Sequence, residues 1–443
     1  MLDRPLKYAN MEIIVIGLGR IGLLAACCLA KSGHVVTGIE INPEKLERIK
    51  SGSSPFFEPG IAELLKALVP TGRLQFAQML PDDITAEAVM VAVNSPALPN
   101  GSADLSQVQG AVSEIAQKIN RPVTLIMKST VPPGTGADLV NRFLQGKAVT
   151  YVSNPEFLRT GQSAEDWYKT SRVVIGASDK QAEKTMRRLY HDIQAPWVIT
   201  DINSAEMIKY ASNSFLATKV SFINEVANLC ESVDANINDV VLGMGFDPRI
   251  GPAYLKPGIG YGGPCLTKDT SALEFFAVKN GYDFKLLRAT IEVNALQRFR
   301  LVKKLKQLLI SLKGKEIALL GLAFKPDSDD VNDAPAMDIA RLLMEAGANL
   351  RVYDPMAMGN ARRVLPPGAI FCPDIYTASA GACSVILATE WAEFIESDWA
   401  RIHQAMVAPY IIVDGRNALA GDRLVDGGFK YLAPGRISDG DIL

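Results

Sequence analysis

The chain has 443 residues, 48% of them apolar and 21% charged, and a formal net charge of −2. These proportions exclude a disordered chain, and the length exceeds one ordinary core, so two or three domains are expected. Near-neutral charge without a long basic run argues against nucleic acid or an anionic membrane as the main partner. The first ten residues, MLDRPLKYAN, lack a signal-peptide core and read as a short leader. The apolar run from Ile21 to Ala30 is too short to span a bilayer and is ended by Lys31. Six cysteines without C-x-x-C spacing (Cys27, Cys28, Cys230, Cys265, Cys372, Cys383) point to a reduced, cytoplasmic protein. The three histidines, His34, His191 and His403, have no metal-ligand spacing, so neither a metal nor histidine chemistry is expected.

Glu12-Ile-Ile-Val-Ile-Gly17-Leu-Gly19-Arg20-Ile21-Gly22 predicts a buried strand, a glycine turn and a helix over about 21–31. A second strand over 34–39 ends at Glu40, eighteen positions past Gly22. Strand, G-x-G-x-x-G, helix and acid in this order are a dinucleotide-binding pattern. The glycines allow a tight turn and close approach of a pyrophosphate to the helix N-terminus. Glu40 suits a ribose diol and would repel a 2′-phosphate, so NAD is expected rather than NADP. Further strands over 89–93, 123–127 and 149–152 end in Asn94-Ser95-Pro96, Lys128-Ser129-Thr130 and Asn154-Pro155-Glu156. Ligands lie outside the carboxyl ends of such strands, so these polar ends are expected to line the nicotinamide half of a crevice.

A helical run without Gly or Pro follows over about 204–233, with Ser204, Glu206 and Met207 as its start. The region around it is expected to be a helical connector and an oligomer interface. Then the opening pattern returns: Glu316-Ile-Ala-Leu-Leu-Gly321-Leu-Ala matches Glu12 to Gly19, and Asp354-Pro355 echoes the acid-ended second strand. The second copy lacks the later glycines and is expected to hold a nucleotide-linked group rather than a dinucleotide. The fold class is therefore α/β, with two Rossmann-like doubly wound domains joined by a long central helix and a helical middle region.

Two patterns in the middle carry chemistry. Lys209 and Asn213 lie one helical turn apart. On a solvated face they mean little, but the run around them is apolar enough to cover that face, and a buried amine suits proton transfer or oxyanion stabilisation. Gly258-Ile-Gly-Tyr-Gly-Gly-Pro-Cys265-Leu-Thr-Lys-Asp269 crowds glycines around one thiol. Locally, a structural cysteine in a turn is the simpler reading. The alternative is a nucleophile in a loop whose glycines admit a ligand, with Lys268 favouring thiolate and Asp269 organising water.

Taken together, GLGRIG, STVPPGT, NPEFL, EMIKYASNSFLATKVSFINE, RIGPAYLKPGIGYGGPCLTKD, GLAFKPDSDD and DGRN resemble the UDP-glucose/GDP-mannose dehydrogenase family over nearly the whole chain. The R-I-G and G-Y-G-G-x-C patterns are most similar to the branch that oxidises UDP-glucose. The resemblance implies a leader over 1–10, an NAD-binding domain over 11–203, a connector and dimerisation region with the cysteine loop over 204–300, and a UDP-binding domain over 301–443. It implies a homodimer through the central helix and a four-electron oxidation of the sugar C6 hydroxyl to a uronic acid, through a thiohemiacetal and thioester on Cys265. Lys209 and Asn213 would hold the C6 oxygen, Asp269 would serve the hydrolytic water, and Glu156 with Thr130 would act as acid and base. Phe157, Leu158, Tyr254, Lys256, Gly258, Tyr261, Gly262, Phe324 and Lys325 would shape the sugar site. Arg416 would bind a phosphate, and Arg249 would reach across the dimer. Gly17, Gly19, Arg20, Ile21, Glu40, Lys45, Ser95, Thr130 and Lys268 would meet the cofactor.

The chain departs from the family pattern at four places. Thr160 stands for a usual Glu, Asn332 for a usual Arg, Leu266-Thr267 for Phe-Pro, and Pro264 for a small or polar residue before the cysteine. These changes point to an altered cofactor or substrate fit, and another nucleotide sugar is the alternative substrate. A two-electron dehydrogenase with a structural Cys265 and a non-catalytic nucleotide-sugar sensor are the remaining readings.

Overall fold

The computed structural model describes residues 11–436; the leader expected over 1–10 lies outside them. The chain divides into two compact units, one ending at Ser212 and the other beginning at Asn213.

The first unit is built on strands β1 (Glu12–Ile16), β2 (Val35–Ile39), β3 (Leu74–Ala77), β4 (Ala88–Val91), β5 (Val123–Met127), β6 (Val149–Ser153), β7 (Val173–Ala177) and β8 (Trp197–Thr200). They form one sheet in the order β3-β2-β1-β4-β5-β6-β7-β8, parallel except where β6 meets β7. Apolar runs such as AVMV and VTLIM are buried end to end because helices cover both faces. The helix Arg20–Lys31 buries every residue from Gly22 to Ala30. Strand order reverses between β1 and β4, which opens a crevice at their carboxyl ends.

The second unit carries the helices Ile237–Gly245, Leu266–Lys279 and Lys285–Leu309, then a second sheet. Its strands are β9 (Glu316–Leu320), β10 (Asn349–Tyr353), β11 (Ile370–Phe371), β12 (Ser384–Leu387), β13 (Ile411–Asp414) and β14 (Lys430–Leu432). All are parallel, in the order β11-β10-β9-β12-β13-β14, which repeats the order of the first six strands of the other sheet. The internal repeat read from Glu316 and Asp354 is therefore a repeat of topology.

The long helix spans Ile202–Cys230. It starts two residues before Ser204, and the cap is Asp201, not Ser204. The Asp201 carboxylate accepts from the Ser204 backbone N–H at 2.9 Å and from its hydroxyl at 2.6 Å. Glu206 serves another helix: its oxygens accept from Gly134 N and Gly136 N at 2.7 and 2.8 Å, capping the helix Thr135–Leu139. Burial pushes its carboxyl up to about 7 against those N–H groups.

Candidate active site

In the first unit the glycine turn separates two demands. Gly17 has φ +87, and a Cβ there would lie 2.9 Å from Ala92 O and Val93 Cα. A Cβ on Gly22 would lie 1.8 Å from Gly17 O, so the protein's own packing requires both glycines. Gly19 is different. Its φ of −67 suits any residue, and a Cβ would come no nearer than 3.8 Å, to Asn94 Oδ1. The room beside Gly19, at the N-terminus of Arg20–Lys31, fits a cofactor pyrophosphate. Glu40 follows β2 and is buried; it accepts from Asn42 N at 3.1 Å and from Lys45 Nζ at 2.5 Å. Lys45 therefore holds the acid that would meet the ribose. Arg20 is held by Phe57 O at 2.8 Å and lies over the Phe56 ring, and Ile21 is half-buried beside it.

The ends of β4, β5 and β6 are tied together. Ser95 Oγ donates to Thr130 O at 2.7 Å, which joins the loops after β4 and β5. Glu156 follows β6; its Oε1 accepts from Lys209 Nζ at 3.0 Å and its Oε2 from Leu158 N at 2.6 Å. Both side chains of this pair are buried, at 6% and 7% exposure. Burial pushes the Glu156 carboxyl up, but the Lys209 charge and the Leu158 N–H outweigh it and hold it below its ordinary value. A hydrogen-bonded ion pair in a low-dielectric setting is poised for proton exchange. Phe157 lies under the Arg172 guanidinium at 3.6 Å and 5.4 Å from Lys209 Nζ. Arg172 also donates to Ser212 Oγ at 3.2 Å, which fixes the stack. Thr160, where the family pattern has Glu, is half-buried in the same loop.

In the second unit, Cys265 is exposed and immediately precedes the helix Leu266–Lys279, while the other five cysteines are buried. The positive end of a helix stabilises a negative charge on the sulfur. The loop before it is rigid. Gly258 N donates to Asn224 Oδ1 at 2.8 Å, and Gln297 Nε2 donates to Gly258 O at 3.3 Å. Asn294 takes both backbone groups of Tyr261, at 2.7 and 3.0 Å. The loop's own packing also requires its glycines. A Cβ would lie 2.6 Å from Gly415 O at Gly258, 2.4 Å from Asn294 Oδ1 at Gly260, 2.3 Å from Asp333 O at Gly262 and 2.4 Å from Phe324 at Gly263. Protein atoms stand where a side chain at these positions would be. Pro264 stands just ahead of the first helical turn, where N–H groups have no partner within the helix, so its missing donor breaks no helical bond.

One turn into that helix, Asp269 is 1% exposed. It accepts from Lys268 Nζ at 2.7 Å and from Asn213 Nδ2 at 2.6 Å. Lys268, expected on the cofactor side, is thus engaged by its neighbour, and Asn213 is 7% exposed. Phe324 is half-buried with Lys325 Nζ 5.7 Å from its ring. Arg416 Nε donates to Ala388 O at 2.7 Å and lies 3.3 Å from Glu390; Nη2 donates to Phe324 O at 3.0 Å. Tyr254 has φ +63 and, like Lys256, is exposed. Arg249 is exposed and pairs with Asp247 at 2.6 Å.

The family models place these elements. The NAD binding domain of the UDP-glucose/GDP-mannose dehydrogenase family matches residues 11–194, the central domain 203–296 and the UDP binding domain 318–421. The chain belongs to the UDP-glucose/GDP-mannose dehydrogenase family. It is an NAD-dependent nucleotide-sugar dehydrogenase. A UDP-glucose 6-dehydrogenase of Bacillus subtilis is 42% identical over 432 residues, covering 96% of this chain and 98% of the relative. The structure of a UDP-glucose dehydrogenase from Pyrobaculum islandicum superposes with a TM-score of 0.90 at 35% identity, covering 98% of this chain and 100% of that one. A UDP-D-ManNAc dehydrogenase from Pyrococcus horikoshii superposes at 0.86 with 27% identity, covering 96% and 99%.

The structure also shows what the sequence reading passed over. Asp354 follows β10 where Glu40 follows β2, but its carboxylate turns inward. It accepts from Leu322 N at 2.7 Å, Ala323 N at 3.0 Å, Met356 N at 2.8 Å, Ala357 N at 2.7 Å and Trp391 Nε1 at 3.2 Å. The N–H groups of the second turn are therefore spent inside the protein. Lys128 was expected, with the other strand ends, to line the nicotinamide half of the crevice; its amine is buried and donates to Asn154 and Tyr190. A lysine placed directly after a largely apolar strand was the available signal.

Proposed function

We propose that the chain oxidises the C6 hydroxyl of UDP-glucose to the carboxylate of UDP-glucuronate. The observation that carries this is Cys265, the exposed thiol at a helix N-terminus. The 42% identity to a UDP-glucose 6-dehydrogenase, against 27% to the UDP-D-ManNAc enzyme, supports the glucose substrate. NAD, when bound, accepts the hydride in each of two oxidations, with Gly19, Glu40 and Lys45 on its pyrophosphate and ribose side. Glu156, with Thr130, takes the proton of the C6 hydroxyl through water, and the Lys209 ammonium and Asn213 stabilise the oxygen as it gains negative charge. The Cys265 sulfur adds to the C6 aldehyde, forming a C–S bond and a thiohemiacetal. After the second oxidation, water adds to the thioester, the C–S bond breaks, and the carboxylate and the thiol are released. Asp269 holds that water. Phe157, Leu158, Tyr254, Lys256, Tyr261, Phe324, Lys325 and Arg416 shape the sugar and phosphate side.

The same reading covers the functional division at 11–203, 204–300 and 301–443, a cytoplasmic location, and a homodimer through the long helix with Arg249 reaching the neighbour. Phe215, Phe222 and Leu229, 66%, 54% and 64% exposed, recur every seven residues along that helix and supply an apolar face for a second copy. Incubating the protein with NAD and a panel of nucleotide sugars tests the substrate. UDP-glucose is expected to give the most NADH; reduction of NAD with another sugar and none with UDP-glucose would overturn the choice.

A further inference from the structure

Lys128 is 7% exposed at the end of β5. Its Nζ donates to Asn154 Oδ1 at 3.0 Å and to the Tyr190 hydroxyl at 3.2 Å. It lies 5.6 Å from the Trp167 ring and 5.4 Å from the Tyr190 ring. Tyr190 donates to the same Asn154 Oδ1 at 2.7 Å, and Asn154 Nδ2 donates to Val174 O at 2.8 Å, so the amide orientation is fixed. Among the described residues no carboxylate forms an ion pair with Lys128. Its charged neighbours are Glu156, on the loop after β6, and Lys209, on the long helix. Arg172 and Glu156 line the same small cavity as Lys128, Asn154 and Tyr190.

Burying an ammonium on neutral acceptors alone is costly, and a fold that needed only packing there would be better served by an apolar side chain. The charge therefore has an electrical use. Glu156 already gives one oxygen to Lys209 and the other to Leu158 N, and Lys128 adds a second buried positive charge on the same cavity. We propose that Lys128 is a positioning residue for the oxidation: its ammonium, held by Asn154 and Tyr190, keeps the Glu156 carboxylate ionised beside Lys209 and sets the pH range in which that pair exchanges a proton. Two directions agree with this geometry. Burial lowers Lys128 to about 8, against the attraction of Glu156, and the Lys128 charge helps hold Glu156 low.

The inference rests on the reading of Glu156 and Lys209 as the proton-handling pair. The test is the pH profile of kcat/KM for the sugar, with thermal melts confirming that each variant is folded. In Lys128→Met, Glu156 loses a stabilising charge and binds its proton more tightly. The acid limb moves up by about one pH unit, a roughly tenfold loss on its acidic side, while KM for NAD is unchanged. Lys128→Arg keeps a positive charge at the same position, and its acid limb stays with the parent's. If the acid limb of folded Lys128→Met superimposes on the parent profile, the inference falls. Should that variant not fold, Lys128→Gln removes the charge while keeping a polar group beside Asn154, and an unmoved acid limb there overturns it. Glu156→Gln separates the two levels. Loss of its acid limb with an unshifted Lys128→Met limb sinks the Lys128 inference alone, and an acid limb that survives Glu156→Gln sinks both.

Discussion

The two sheets repeat one topology, yet their first turns meet opposite ends. After β1, the space beside Gly19 is open and Glu40 is occupied with Asn42 and Lys45. After β9, the Asp354 carboxylate takes the N–H groups of Leu322 and Ala323 that would otherwise face an anion. The difference is one of direction. An acid that does not take the N–H groups of the turn leaves them to a cofactor; an acid that takes them is an internal anion and makes the turn structural.

That contrast predicts a graded series. Asp354→Ala should do most damage, because it strands five donors, four of them buried, at roughly 1–3 kcal/mol for each buried one, offset only in part by relaxation. Calorimetry should show a loss of about 4 kcal/mol or more; an unchanged melt would break the comparison. Gly22→Ala comes next: with its Cβ 1.8 Å from Gly17 O, the first unit should melt many degrees lower or fail to fold. Gly19→Ala should cost stability less than about 0.5 kcal/mol yet raise KM for NAD by ~10-fold or more, since only a ligand competes for that space. A destabilised Gly19→Ala with normal KM would reverse the assignment of the open turn. The smallest effect is expected from Glu40→Gln, which keeps the fold and weakens NAD by ~3–10-fold. Titration of NAD against protein fluorescence would show whether this loss occurs.

Much of this was legible in the residues. The strand, turn and acid from Glu12 to Glu40, their echo at Glu316 to Asp354, and the long helix all follow from period and punctuation, which are local. The buried setting of Lys209 and Asn213 was legible too, from the apolar run around them. What escaped depends on where side chains point in three dimensions. Asp354 and Glu40 look alike in sequence and differ only in which donors they face. The glycines of residues 258–263 read as close approach to a ligand, and the packing of Gly415, Asn294, Asp333 and Phe324 against them, a second reason for glycine, was not visible in the sequence. Ser204 looked like a cap, but Asp201, three residues earlier, reaches its N–H and its hydroxyl. Lys128 carried no local pattern, because its partners Asn154 and Tyr190 are 26 and 62 positions away.

The most direct test of the central claim is the stoichiometry of oxidation, read as NADH formed per UDP-glucose consumed with the product identified by mass. Through Cys265 the account predicts two NADH for each sugar and UDP-glucuronate as the only released product, with Cys265→Ser making no uronate at an appreciable rate. One NADH per sugar with a released aldehyde, or unchanged uronate formation in Cys265→Ser, would contradict it.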